Sequence, residues 1–424
     1  TVIIKSDGTA AVVAQVNVNS SAGTPVVFNA GQTVPDVTFD STNNKVVVTY
    51  IDNSNSGKGT AIVGTVSGTS ISFGSEVVFD DTGITGFPAV EFVGSGKVVV
   101  AYSRSAGTAI VGTVSGTSIS FGSRVQFLSS TTSSQTIVYD STNDKVVISY
   151  RNDSNNTLLS IVGTVSGSSI SFGSAAQWHS NGYYPDSTYA GSGKIVVTWR
   201  DTGNGNKGTA IVGTVSGTSI SFGSKVIFQD STTSEPVAAF DSTNNKIVIA
   251  YQWSLNSNKG NAIVGTVSGT SISFGTKVEF ANHGVDYTGI TFDPTENKVV
   301  IVYRNQDNDA GTAIEGTVSG TSISFGSPVV FSSSGVSYNR ATYDSFNNKV
   351  VISYKNDGNS NYGTSSVYTV SGTSTNLTSE NYIGIAAEAI ANGATGKINI
   401  VTGTNSGQTG LTTAKTYYVQ SSGG

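Results

Sequence analysis

Gly64-Thr65-Val66-Ser67-Gly68-Thr69-Ser70-Ile71-Ser72-Phe73-Gly74 is a phrase that this chain repeats. Its first glycine recurs as Gly112, Gly163, Gly213, Gly265 and Gly316, with degenerate versions around Ala14 and Tyr368. Successive copies therefore stand 50, 48, 51, 50, 52, 51 and 52 residues apart. Each copy holds two β-branched runs around a Ser-Gly-Thr-Ser reversal, which reads as an antiparallel hairpin. A period of about fifty residues that carries strands and no helix predicts one four-stranded sheet per copy, stacked on its neighbours as the blade of a β-propeller.

In one copy, residues 88–93 and 97–102 form an apolar hairpin, strands A and B, and residues 108–114 and 119–127 form a second, strands C and D. The A/B turn Asp40-Ser41-Thr42-Asn43-Asn44-Lys45 and the C/D turn Ser67-Gly68-Thr69-Ser70 are built from residues that tolerate reversals. Strand B, as in Val146-Val147-Ile148-Ser149-Tyr150, is apolar on both faces, as a strand covered by neighbouring sheets must be. Strand D alternates, with Ile71, Phe73, Val77 and Phe79 on one face and Gly74 marking a bend or a close backbone approach.

A/B turns near Asp40, Gly94, Asp140, Gly191, Asp241, Asp293 and Asp344 set the expected number of blades at seven. The chain begins inside a repeat, because residues 9–28 resemble C plus D with no preceding A/B hairpin. Thr24-Pro25-Val26-Val27-Phe28 matches residues 75–79, whereas the last copy supplies A, B and C in residues 338–372 and no recognisable D. The expectation is an all-β, seven-bladed β-propeller over residues 1–372, its ring closed by the N-terminal strand so that no sheet edge stays open. Residues 373–424 follow as a small β-rich C-terminal module.

Composition narrows the classes of function. A formal charge of −5 without a basic stripe argues against a nucleic-acid partner. No apolar run approaches the roughly 20 residues that span a bilayer, so membrane insertion is not expected. With no cysteine there is neither a disulfide framework nor a thiolate metal site. The absence of Met, an initiator included, predicts that these residues belong to a longer or processed product.

Function should follow the differences between copies. The A/B and C/D turns of one face are nearly constant, whereas the B-to-C and D-to-A connections of the other differ in every copy, and loops on a rigid scaffold are where binding resides. Trp178 ends a D strand, Trp199 ends a B strand, Trp253 falls in a B-to-C loop, and His179 and His283 lie on the same face. With Tyr183, Tyr184 and Tyr287 they read either as a stacking platform for sugar rings or as aromatic caps of the core. Arg151, Arg200, Arg304 and Lys355 each follow strand B. They read either as a clamp for carboxylate or phosphate or as solvated charges paired with Asp153, Asp201, Asp307 and Asp357. The Asp/Asn-rich loops 52–57 and 305–311 lack the EF-hand pattern and read as polar turns, so no metal or cofactor is expected. Glu235 is a lone carboxylate in a D-to-A loop, and ordinary glycoside hydrolysis needs two.

The repeated phrase at residues 64–74 resembles repeat regions of tail-fibre and other virion proteins of marine bacteriophages. Glu380-Asn381-Tyr382-Ile383-Gly384-Ile385-Ala386, Gly393-Ala394-Thr395-Gly396 and Thr416-Tyr417-Tyr418-Val419 resemble a small module of phage structural proteins. The resemblance implies a virion-surface adhesion protein that recognises host-surface glycans, assembles with other virion proteins as a homo-oligomer, and carries over no catalytic residue. The strand order is also similar to sialidase-like propellers, whose C/D turn carries an Asp-box. Here that turn is Ser-Gly-Thr-Ser, without the Asp and Trp of the box, so the expectation is a chain that is not an enzyme. A purely structural role and a glycan-cleaving one are the alternatives.

Overall fold

The computed structural model describes residues 2–4, 10–12, 15–375, 384–386 and 398–400. They fall into two compact units, Ser20–Val370 and a unit drawn from both chain ends, Thr1–Asn19 with Ser371–Gly424. In the terminal unit, Val2–Ile4 pairs with Ala10–Val12, Gln15–Val18 with Gly372–Thr375, and Gly384–Ala386 with Ile398–Ile400. Most of the segment read from sequence as a C-terminal module lies outside the described residues.

In Ser20–Val370 the sheets are antiparallel, and each copy runs A–B–C–D. In the second copy Ala89–Phe92 pairs with Lys97–Ser103, which pairs with Gly107–Ser115. Gly107–Ser115 then receives D in two pieces, Ser118–Phe121 and Val125–Leu128. The gap between the pieces has a steric cause. A Cβ on Gly122 would lie 1.9 Å from the Ser168 carbonyl oxygen in the next copy's C/D turn, and one on Gly74 would lie 2.0 Å from that of Thr117. Only glycine lets D pass so close to the neighbouring backbone. Gly68, inside the turn itself, is needed for a different reason, its φ of +59°.

Packing between copies is driest along strand B, where Val46, Val47, Val48, Val98, Val99 and Val100 have no exposed surface. In every copy but one, a phenylalanine near the end of the D strand meets the buried aromatic of the next copy's B strand, with ring centroids 5.2 Å apart for Phe79–Tyr102 and 5.1 Å for Phe127–Tyr150. Trp178 and Trp199, 4.9 Å apart, occupy this same position. The phenylalanine also lies over a glycine of its own C strand, Phe79 over Gly59 and Phe228 over Gly208, where any side chain would displace the ring.

Asp40 organises the A/B turn: its Oδ1 accepts from the Thr42 and Asn43 amides and its Oδ2 from the Asn43 side chain at 2.7 Å. The Asn43, Asn143, Asn244 and Asn347 turns repeat the contact. At the other end of strand A the structure departs from the sequence reading. D and the following A, expected as strands joined by a loop, are continuous in Val226–Asp241, Val278–Asp293 and Val329–Asp344.

The A strands lie side by side, Pro35–Asp40 next to Ala89–Phe92 and so on through Val329–Asp344, which packs against Pro35–Asp40 in turn. No main-chain ladder joins them. Side chains of one A strand accept from amides of the next: Asp36 from Val90 at 2.8 Å, Thr38 from Phe92 at 3.1 Å, Thr136 from Ser187 at 3.2 Å, Asp186 from Ala238 at 2.8 Å and Glu235 from Tyr287 at 2.6 Å.

The strand Tyr362–Thr369 pairs with Ser21–Ala22 and Val26–Gln32, with Thr364 opposite Val27 as Thr60 is opposite Val78. Phe28 lies over Gly363 and 5.2 Å from the Tyr50 ring, and a Cβ on Gly23 would lie 1.8 Å from the Thr69 carbonyl oxygen. Phe28 thus makes the contacts that Phe79 makes one copy on. Phe28→Ala should cost about 3 kcal/mol or more in urea unfolding, matching Phe79→Ala. A midpoint unchanged by Phe28→Ala would mean that these contacts add nothing to the fold.

Candidate functional site

At the start of strand A the pairing with strand B slips by one residue. Ser133 is opposite Arg151, but Thr136 is opposite Ser149, so Ser134 and Gln135 face Tyr150 alone. The same bulge recurs at Tyr184-Pro185, Glu235-Pro236, Tyr287-Thr288 and Tyr338-Asn339. Its first residue is left-handed each time, with φ of +52° at Ser134, +54° at Tyr184, +47° at Glu235, +49° at Tyr287 and +55° at Tyr338. Glycine is the usual occupant of such a position. A tyrosine there costs on the order of 1 to 3 kcal/mol, and strain of this kind gathers at functional sites.

The bulge residues line a cavity of about 320 Å³ enclosed by the A strands. Phe87 and Tyr184, both more than a third exposed, mark its open end. The Tyr338 ring bridges Phe87 at 5.2 Å and Tyr287 at 4.9 Å. Asp36, Glu91, Asp186 and Glu235 line the same cavity with one base, Arg340, whose Nε is 3.6 Å from Asp36. Gln135 Oε1 and Thr288 Oγ1, also on its wall, are buried with no hydrogen-bond partner.

Removal from water dominates the acidity of these carboxyls. Burial pushes Glu91 up to about 8, with the Asp36 charge adding and an amide bond from Tyr139 opposing. Asp186 is pushed up to about 6 by burial against the Ala238 amide bond. Asp36 and Glu235 are also raised by burial, opposed by the Arg340 charge and by amide bonds from Val90 and Tyr287.

Basic side chains stack on the tyrosines of this end: Arg151 over Tyr183 at 4.3 Å, Arg200 over Tyr184 at 4.9 Å, Arg304 over Tyr287 at 5.0 Å and Lys355 over Tyr338 at 5.3 Å. Arg151 pairs with Asp153 and Lys355 with Asp357 at 3.0 Å, as the sequence suggested. The other two pairings differ. Arg304 grips Asp286, not Asp307, with Nε and Nη2 at 2.8 and 2.5 Å. Asp201 is taken by His179 at 2.8 Å and Lys225 at 2.9 Å and leaves Arg200 without it.

Of the aromatic and histidine candidates, Tyr184 and Tyr287 line the cavity and Tyr183 stands beside Tyr184, rings 6.3 Å apart. The rest are engaged in packing. Trp178 donates to Ser160 and packs edge-on to Trp199, His179 is held by Asp201, and His283 bonds the Gly284 carbonyl near the Tyr303 ring. Trp253 is not loop-borne: it ends the strand Lys246–Trp253, packs on the core and lies under the Lys277 ammonium at 3.5 Å. Glu235 is not a lone loop carboxylate either; it sits in a strand among the cavity's other acids. Phe87, Tyr338, Asp36, Glu91, Asp186 and Arg340 were missed. Aligning the copies on their A/B turns would have put Tyr338 with Tyr184 and Tyr287. In the loop 52–57, Asp52 Oδ1 accepts from the Ser54 and Asn55 amides, which is turn chemistry. Among the described residues no group of three His, Asp or Glu is placed to hold a metal ion.

No family model and no curated protein matches the chain. It is similar to the solved structure "NanB plus Optactamide", with a TM-score of 0.46 and 11% identity over 82% of this chain and 70% of that one. It is also similar to the leech intramolecular trans-sialidase complexed with 2,7-anhydro-Neu5Ac, with a TM-score of 0.45 and 10% identity over 84% and 70%. Both are sialidases, and the expectation of a chain that is not an enzyme is corrected on that finding.

The raised acids make stability depend on pH. A carboxyl whose folded pKa exceeds its unfolded value stabilises the fold at low pH, and that contribution is lost as pH rises through the folded value, about 6 for Asp186 and about 8 for Glu91. The unfolding midpoint should therefore fall between about pH 5 and about pH 9, and Glu91→Gln should flatten the upper part of that decline. A Glu91→Gln profile parallel to the parent's would show that this carboxyl is not held protonated.

Proposed function

We propose that this chain is a seven-bladed β-propeller closed by its N-terminal strand, and that the cavity at its hub recognises a glycan. The observation that carries the glycan reading is the set of tyrosines, Tyr184, Tyr287 and Tyr338, held at strained left-handed bulges around that cavity. Flat aromatic faces bordered by fixed polar groups suit a sugar, which offers an apolar ring face and a belt of hydroxyls. Gln135 Oε1 and Thr288 Oγ1, buried and unpaired on the wall, are acceptors such hydroxyls would satisfy.

Ring closure is supported by the register of Val26–Gln32 on the last C strand, by Gly23 against Thr69, and by the Arg340–Asp36 and Phe87–Tyr338 contacts, which join the last copy to the first two. Removing residues 1–28 would bare one edge of the last sheet. That truncation should lower the thermal midpoint well below the parent's; an unchanged midpoint would rule closure out. A place on a virion surface, among other virion proteins, rests on the resemblance of the repeated phrase and of residues 380–386, 393–396 and 416–419 to phage structural proteins.

A second reading, glycan cleavage, is favoured by the carboxyls themselves. Glu91 and Asp186 are pushed to different acidities in one cavity, and acid–base chemistry on a glycosidic bond needs one protonated and one ionised group. Product release from a bound polysaccharide, abolished by Glu91→Gln, would establish it.

Tyr287→Asn tests the recognition site, because asparagine accepts a left-handed φ and removes the ring without straining the backbone. Glycan-array binding followed by titration of the best ligand should show affinity reduced on the order of ten-fold or more, with an unchanged unfolding midpoint. Equal affinity in Tyr287→Asn would exclude this cavity as the glycan site.

A further inference from the structure

Arg200 stands apart from the other arginines. Arg104 and Arg124 face Asp80, Arg151 faces Asp153, Arg304 faces Asp286 and Arg340 faces Asp36. Among the described residues Arg200 is the one arginine with no carboxylate at its guanidinium, because its sequence neighbour Asp201 is occupied by His179 and Lys225. Its Nε is buried with no acceptor, and the residue as a whole is half-buried. What holds the group is the aromatic shelf beneath it, with Cζ 4.9 Å from the Tyr184 ring and 5.5 Å from the Tyr183 ring.

An arginine that stacks on aromatic rings keeps its donors in one plane and loses little freedom when an anion arrives. Tyr184 lines the cavity, and Arg200, which does not itself line it, stacks on the Tyr184 ring. Tyr183 Oη is already fixed by a hydrogen bond from Arg151 Nη2 at 3.0 Å, which makes the shelf rigid.

We propose that Arg200, with Tyr183 and Tyr184, is a subsite for an anionic substituent, a carboxylate or a sulfate, on the glycan bound at the hub. The inference rests on the glycan reading and narrows it to acidic polysaccharides. The rim base meets the acidic group by charge-assisted hydrogen bonds, and the neutral part of the sugar lies against the tyrosines. The carboxylates further along the cavity are occupied with amide bonds between strands and would repel an acid placed deeper, so the rim is where the charge has to sit.

Two measurements on the full chain keep the two readings separable. The first is binding of polygalacturonate, dextran sulfate and neutral dextran by the parent, Arg200→Gln and Arg200→Lys, with unfolding midpoints measured alongside. The parent should prefer one acidic polymer over dextran by about ten-fold or more, Arg200→Gln should lose that preference, and Arg200→Lys should keep part of it. Preference for polygalacturonate identifies the carboxylate, and preference for dextran sulfate identifies the sulfate. The second measurement is phenylglyoxal modification of Arg200, read by peptide mass spectrometry, with and without free galacturonate or inorganic sulfate. Protection of Arg200 in a parent that binds no polymer would keep the anion subsite and overturn the glycan reading. An acid preference that survives in Arg200→Gln, or Arg200 modified equally with and without either anion, would overturn the subsite.

Discussion

A β-strand that is the last of its sheet has amides with nowhere to donate, and the A strands of this fold lie side by side with no main-chain ladder between them. Closing those edges by main-chain pairing would join the A strands into one barrel and leave no room for stacked sheets. The chain instead reaches across with side chains: Asp36 to Val90, Thr38 to Phe92, Thr136 to Ser187, Asp186 to Ala238 and Glu235 to Tyr287. Much of the rest follows from this arrangement. The acceptors have to be short or acidic, so the centre becomes rich in carboxyls. Because they are buried, their acidity falls, and because they bond amides, most stay tolerable in a dry site.

The same constraint separates scaffold from site. Strands B and C are covered on both faces and pack valine and isoleucine with little variation, whereas strand A pairs by main chain along one edge only and differs in residue from copy to copy. The bulges are the clearest product of that freedom. Each sets two residues against one buried aromatic of strand B, and the extra residue is Ser134, Tyr184, Glu235, Tyr287 or Tyr338 according to the copy. Backbone strain is thus repeated around the hub, with a different side chain presented each time.

What could be read from the sequence was what the period repeats. The strand order, the A/B turns with their Asp and Asn, and Gly74 as a point of close approach all follow from comparing near-identical copies. The bulge could not be read, because a one-residue slip in pairing leaves hydrophobic runs intact. It also hid the continuity of D into A, since Asp, Ser and Thr in residues 229–235 look like a loop. Trp253 and Trp178 misled for another reason. Aromatics at strand ends look alike whether they cap a core or meet a ligand, and only the partners, Lys277 for one and Trp199 for the other, tell them apart. Adjacency in sequence suggests an Arg200–Asp201 pair, but consecutive residues of a strand point to opposite faces.

The glycines that let each D strand slide past its neighbour have a further consequence. At Gly23, Gly74, Gly122, Gly173, Gly223 and Gly275 a Cβ would meet the next copy's carbonyl oxygen at 1.8 to 2.0 Å, so the joint is the same size at every one of these positions. A uniform joint makes the copies that share it interchangeable at this seam, which Gly326, with no such carbonyl beside it, does not form. One copy moved to another position would meet the socket it left, and the aromatics and acids of its A strand would travel with it. Such a gene can acquire a new binding surface by recombining whole repeats, without waiting for point substitutions to rebuild an interface.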